Sequence, residues 1–259
     1  NMDAIVTDSE TSKKDIVRFL NVGSEKVNVV HLAQAEIFKP IKSTVVKQEV
    51  KNRYNLPDNF VLYVGDVNYN KNVLNLVKAC SVVKVPLVIC GGQATELVGG
   101  VVFGKLHGPR DFLRYIVGQQ HPETAHFKDL INEIELNKNV LRLGFVSNED
   151  LVVIYNLATV YCQPSFYEGF GLPVLEAMAS GCPVVASKTQ ALVEVSGDMP
   201  IFFDPQDFND MANKINLIFE NKILRESLVK DGIRHSKNFS WSKVGEETID
   251  IYKKVLKRQ

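Results

Sequence analysis

Ser165-Phe166-Tyr167-Glu168-Gly169-Phe170-Gly171-Leu172-Pro173-Val174-Leu175-Glu176-Ala177-Met178-Ala179-Ser180-Gly181-Cys182-Pro183-Val184-Val185-Ala186 reads as a strand end, a glycine-bracketed loop, a helix, a glycine stop and a second strand. Pro173 suits the first helical position, where the missing N–H has no partner to lose. Leu175, Met178 and Ala179 repeat at helical spacing. Gly181 follows as a helix stop, and Val184-Val185-Ala186 predicts a buried parallel strand. Strand, loop, helix and strand in this order predict an α/β fold built on a doubly wound parallel sheet.

The turn carries the chemistry. Gly169 and Gly171 let the backbone approach a ligand closely. Free N–H groups and the positive end of the helix dipole favour an anion there. Glu168 and Glu176 flank that point. Carboxylates repel phosphate, so these two are expected to accept hydrogen bonds from sugar hydroxyls on either side of it. A molecule with phosphate between two sugars, a nucleotide sugar, meets those demands. The competing reading makes Glu176 a stabiliser of the helix N-terminus and Glu168 a solvated loop acid.

The Glu168-x7-Glu176 spacing, followed by Ala179-Ser180-Gly181 and Pro183-Val184-Val185-Ala186-Ser187, resembles the signature of the family-four retaining glycosyltransferases of GT-B fold. The resemblance implies a Rossmann-like donor-binding half of a two-domain enzyme that takes a UDP- or GDP-linked sugar. It implies that Glu168 holds the donor sugar and orients its anomeric carbon, and that Lys71 neutralises the leaving diphosphate, the two forming the catalytic set. Gly65, Asn72, Phe145, Val146, Gly169, Phe170, Gly171, Leu172 and Glu176 are the implied donor-binding positions, Glu176 on the ribose diol. No metal and no other cofactor is expected, since a helix dipole and a lysine can neutralise the diphosphate. The acceptor implied is a saccharide or lipid-linked hydroxyl, in envelope polysaccharide or lipopolysaccharide synthesis.

Working outward, Gly65-Asp66-Val67-Asn68-Tyr69-Asn70-Lys71-Asn72 follows an apolar strand and opens a helix. Lys71 and Asn72 match the family, which usually adds an arginine beside the glycine or just before the Lys-Asn pair. Asp66 and Asn70 stand at those places here. The competing reading of Lys71 is a solvated lysine at a helix start. Gly144-Phe145-Val146 ends another strand on the same sheet edge, where ligands of parallel sheets bind. The resemblance gives its backbone the nucleobase, while core packing competes for the side chains of Phe145 and Val146. Tyr161, Phe166, Tyr167 and Phe170 are expected to pack in core and loop, with Phe170 partly exposed. A dehydrogenase fingerprint and a phosphate-binding P-loop are both missing.

The remaining chain alternates strands and helices. Strands are expected at Ile5-Val6-Thr7, Val27 to His31, Phe60 to Gly65, Leu87 to Gly92, Asn139 to Val146, Thr159 to Pro164 and Ile201 to Pro205. Helices are expected after a Ser9 or Thr11 cap, over Val45 to Tyr54, Asn72 to Val83, Arg110 to Val117, His126 to Glu135, Asn148 to Leu157 and Leu192 to Val195, then over 207–220, 221–235 and from Trp241 to Leu256. Residues 1–40 resemble the last βαβ unit of an acceptor domain whose remainder is expected to be missing. Residues 41–240 form the donor domain, and 241–259 a helix that crosses back to the first unit.

The 259 residues carry 30 basic and 30 acidic side chains, so no global field favours nucleic acid or an anionic membrane. Contact with a membrane surface is expected only through the missing domain. Cys80, Cys90, Cys162 and Cys182 sit in apolar segments with no Cys-x-x-Cys, which predicts reduced core thiols and a cytoplasmic protein. The five histidines lack metal-ligand spacing and are expected to be surface or structural. Two further readings stay open: a nucleotide-sugar-binding fragment inactive alone, and an epimerase or phosphorylase of the same fold.

Overall fold

The computed structural model describes residues 3–93 and 122–257. Six parallel strands form the main sheet: β3 (Val61–Val64), β4 (Leu87–Cys90), β5 (Val140–Gly144), β6 (Val160–Gln163), β7 (Val184–Ser187) and β8 (Ile201–Phe203). Their spatial order is β5-β4-β3-β6-β7-β8, that is 3-2-1-4-5-6 by order of appearance, which is the doubly wound order expected of a dinucleotide-type fold. The order reverses between β3 and β6, so the crevice at their carboxyl ends is where a ligand is expected.

Side-chain alternation along the strands builds two cores. Val61, Tyr63, Leu87, Ile89, Val160 and Cys162 face α3 (Val73–Val83), α4 (Pro122–Leu136) and α8 (Phe208–Glu220). Leu62, Val88, Cys90, Tyr161, Val184 and Ala186 face α2 (Thr44–Arg53), α5 (Asn148–Leu157), α6 (Leu172–Ala179) and α7 (Gln190–Ser196). Helices on both faces are why β4, β6 and β7 are buried at every position. Behind α6 lies α9 (Lys222–Ser236), where a Cβ at Gly232 would stand 3.2 Å from Met178 Cγ. All four cysteines are free and buried, and burial pushes the Cys90 thiol up to about 12.

A separate parallel pair, β1 (Ile5–Thr7) and β2 (Val27–Val29), is joined by α1 (Glu10–Leu20). Of the two candidate caps, Ser9 is the one used: its side chain accepts from Ser12 N at 2.9 Å. The last helix, α10 (Trp241–Leu256), lies beside this unit; Val244 and Thr248 line a cavity of about 700 Å³ together with Val6, Ile16 and Val30.

The expected elements form with small shifts. The helix expected from Asn72 begins at Val73, because Tyr69–Lys71 closes a 3₁₀ turn and Asn72 adopts φ 55°, outside helical space. Pro173 occupies the second helical position, after Leu172. The helix expected over Arg110 to Val117 lies outside the described residues.

Candidate donor-sugar site at the sheet crossover

Two loops meet at the carboxyl ends of β3 and β6. The first leaves β3 through Gly65, whose N–H donates to Cys90 O at 2.9 Å. Close passage of the next loop demands glycine at 91, where a Cβ would lie 2.1 Å from Gly65 O. The second loop runs from Gln163 to Gly171. Asn72 ties them together: its side-chain amide, 2% exposed, donates to Pro164 O (2.9 Å) and Pro205 O (2.8 Å). Asn72 was expected to contact the donor. Its buried side chain spends both amide hydrogens on those two carbonyls and so aligns the loops. Phe166 N adds a bond to Asn70 O at 2.9 Å.

That alignment brings Lys71 to Glu168, Nζ to Oε1 at 2.8 Å and to Oε2 at 3.0 Å. The side chains are 26% and 11% exposed. Neither is therefore the solvated residue of the competing readings. Oε1 of Glu168 also accepts from Gln163 Nε2 (2.8 Å) and Ser165 Oγ (2.7 Å). Gln163 and Ser165 were not among the expected site residues. The available signal was a glutamine closing a strand of otherwise apolar character, Val160-Tyr161-Cys162-Gln163.

Glu176 sits one turn into α6, and its Oε2 accepts from Tyr155 OH at 3.1 Å. Burial pushes its carboxyl up, and the Tyr155 hydrogen bond partly offsets this. Burial raises the Tyr161 phenol well above its ordinary value, with further upward contributions from Tyr63, Glu168 and Glu176. Tyr155, bonded to Glu176, packs on Tyr161 with ring centroids 5.6 Å apart, and Tyr161 reaches Glu168 through Gln163, so one buried chain of contacts links the two glutamates.

Between them runs the glycine turn. Gly171 has φ 96°, and a Cβ there would stand 2.5 Å from Leu192 Cδ2. The amides of Gly169, Phe170 and Gly171 open α6, and the helix adds the positive end of its dipole. Gly169 O accepts from Ser9 Oγ at 2.5 Å and Ser12 Oγ at 3.4 Å, so the first βαβ unit braces this turn. Tyr167 OH donates to Asp15. Glu194, in α7, accepts from Glu10 N (2.7 Å) and Thr11 N (3.2 Å) at the start of α1 and contacts His31 Nε2 at 2.9 Å.

Two aromatic expectations are corrected. Phe170 is 4% exposed, not partly exposed, since Leu175, Val195, Leu32 and Phe239 close around it. Leu172 packs beside it. Phe145 is 84% exposed and outside the core, whereas Val146 is buried at 8%; the positive φ of Gly144, 70°, ends β5 and turns the chain outward. His126, also buried, contacts Val67 O at 3.2 Å. Among the described residues no group of three His, Cys, Asp or Glu is placed to hold a metal ion. Among the same residues no helix is long and apolar enough to cross a membrane.

The family model for glycosyl transferases group 1 matches residues 46–235, most of the chain and all of the site. The chain belongs to the group 1 glycosyltransferases. It is 30% identical over 256 residues to O-antigen chain mannosyltransferase B of Escherichia coli, a match that covers 96% of this chain and 60% of that protein. Among solved structures, sucrose-phosphate synthase from Thermosynechococcus elongatus is 25% identical with a TM-score of 0.74, covering 100% of this chain and 60% of the other. Anabaena HepE, solved with UDP and glucose, shares the fold at 18% identity and a TM-score of 0.74, covering 97% of this chain and 63% of the other. The group 1 chain described here thus spans about three fifths of the length of these proteins. The sheet order and the two-sided helical cover identify it with the Rossmann-like half of their GT-B fold.

Proposed function

We propose that this chain binds a nucleoside-diphosphate sugar, UDP- or GDP-linked, and is the donor part of a retaining glycosyltransferase. One observation carries the reading: Lys71 and Glu168 meet across the crossover of the sheet, beside a glycine turn whose far side holds Glu176. The diphosphate lies over the amides of residues 169 to 171 with Lys71 alongside. Glu176 grips the ribose diol, and Glu168 the hydroxyls of the donor sugar. When the bond from the anomeric carbon to the diphosphate oxygen breaks, its electron pair leaves with the nucleoside diphosphate. Lys71 and the helix dipole stabilise the charge that grows there. The acceptor hydroxyl oxygen then bonds to the anomeric carbon on the same face, its proton passing to the departing diphosphate oxygen, which retains the anomeric configuration.

The site works without the usual arginine, so Lys71 carries the cationic share with the backbone amides. The Escherichia coli relative's name makes mannose the first sugar to test, and a saccharide or lipid-linked saccharide of an envelope polysaccharide the first acceptor. Residues 1–40 fit an acceptor lobe larger than themselves, since Val6, Phe19 and Leu20 stay 43%, 70% and 60% exposed. We place the protein in the cytoplasm, where buried free thiols persist. Isothermal calorimetry with UDP, GDP and their hexose conjugates tests the donor. No binding of any of them would remove the reading.

A second reading is binding of the nucleotide sugar without transfer. Acceptor-dependent release of nucleotide separates the two.

A further inference from the structure

The two oxygens of the Glu168 carboxylate are not equivalent. Oε1 receives three donors: Lys71 Nζ at 2.8 Å, Gln163 Nε2 at 2.8 Å and Ser165 Oγ at 2.7 Å. Among the described residues Oε2 receives Lys71 Nζ alone, at 3.0 Å. A carboxylate offers about four acceptor positions, two on each oxygen. Oε1 is therefore saturated, and Oε2 keeps the open position.

Gln163 enforces this asymmetry, and it is itself held. It is 2% exposed, at the end of β6. Its Oε1 accepts from the phenol of Tyr161, a fully buried side chain. Burial holds that phenol well above its ordinary value, so it stays neutral and donates. The amide orientation follows: with Oε1 taken by Tyr161, Nε2 must face the loop, where it donates to Ser165 Oγ (2.8 Å) and Glu168 Oε1. Ser165, 0% exposed, accepts from Gln163 and passes its own proton to the same carboxylate oxygen. The relay Tyr161, Gln163, Ser165 thus runs from the sheet core to one oxygen of the acid.

We propose that Gln163, locked by Tyr161, is a positioning residue that turns Glu168 so that Oε2 alone receives a hydroxyl of the donor sugar. The inference rests on the donor-site reading above and adds to it the atom that meets the sugar and the residue that selects it. Gln163 does not touch the ligand. Its loss lets the carboxylate rotate about its terminal torsion, which is broad and shallow unless hydrogen bonds fix it. Contacts of the nucleotide with Glu176 and the glycine turn do not depend on that rotation, and Lys71 keeps its charge beside the diphosphate.

The test is the ratio of two dissociation constants, nucleoside diphosphate over nucleoside-diphosphate hexose, measured by calorimetry on the whole chain. Gln163→Leu alone strands a buried phenol, so the variant of choice is Tyr161→Phe/Gln163→Met, which removes both polar partners at similar volume. We expect nucleoside diphosphate to bind within about threefold of the parent protein, while the ratio shifts at least tenfold against the sugar conjugate. Ser165→Ala removes one of the three donors on Oε1 with little change of volume, and serves if the double variant does not fold. It shifts the ratio the same way by at least threefold. A general loosening would weaken both ligands together and leave the ratio where it was; that result, in either variant, overturns the positioning role. If the parent protein binds neither ligand, the donor-site reading falls and this inference with it.

Discussion

Lys71 Nζ lies 2.8 Å from Glu168 Oε1 although the two residues stand 97 positions apart. One closes a 3₁₀ turn after β3 and the other follows β6, and these strands are direct neighbours in the sheet. Parallel pairing puts their carboxyl ends on one edge, so the two loops must share the crevice. The ammonium is thereby poised between a carboxylate and the place where an anion is expected.

Replacing Lys71 by alanine removes that charge. Glu168 keeps Gln163 and Ser165 as donors, so stability changes little, by about 1 kcal/mol or less for a partly exposed pair. Affinity for nucleoside diphosphate should fall by tenfold or more, roughly 1.4 kcal/mol. Calorimetry beside a thermal melt separates the two effects, and unchanged affinity would deny Lys71 its role.

Glu176 gives a prediction with a pH sign. Burial raises its folded pKa above the ordinary 4.5. The folded state then binds more protons than the unfolded one just above that value, so stability declines as pH rises through this window. Glu176→Gln removes the decline. The melting temperature of the variant relative to the parent should climb as pH goes from below 4.5 towards neutrality. The same variant, and more so Glu176→Ala, should bind nucleotide at least tenfold more weakly through loss of the ribose contact. A pH-independent difference in melting temperature would contradict the burial of an ionised group.

Glu194 behaves oppositely. Burial pushes its carboxyl up, but the N–H groups of Glu10 and Thr11 and the contact with His31 outweigh it and hold the group below 4.5. Its stabilisation is complete above the ordinary value and is lost as pH falls through the lowered one. Glu194→Ala removes a carboxylate from the start of α1, a site worth about 0.5–2 kcal/mol for a helix cap. Hydrogen exchange at Glu10, Thr11 and along α1 should accelerate, while β4 and β6 keep their protection. Equal acceleration in both regions would show that α1 does not open as a local unit.

A side chain at Gly171 is strained. A Cβ there meets Leu192 Cδ2 at 2.5 Å with φ at 96°. Gly171→Ala should cost about 1–3 kcal/mol from backbone strain alone, read as a lowered denaturation midpoint. Phe145→Ala is the control: at 84% exposure the ring packs against nothing that folding needs, so stability should hold within about 0.5 kcal/mol.

The architecture was legible from the chain because local rules decide it. Apolar strands alternating with helical periodicity, and glycines at Gly65, Gly171 and Gly181, suffice to predict a parallel doubly wound sheet with its site at one edge. The pair Glu168 and Glu176 was legible for the same reason, since only seven residues and one helix start separate them. What local order cannot encode is which distant atoms cover or saturate a side chain. Phe170 looks exposed between two glycines until Leu32 and Phe239 close over it, and Phe145 looks like core until β5 ends beneath it. The Asn72 amide has no evident partners in the sequence until Pro164 and Pro205 arrive. Gln163 reads as one more strand residue until Tyr161 fixes its amide against Glu168. Covalent neighbours set the backbone, but burial and hydrogen-bond saturation are properties of groups that only the completed packing brings within 3 Å of one another.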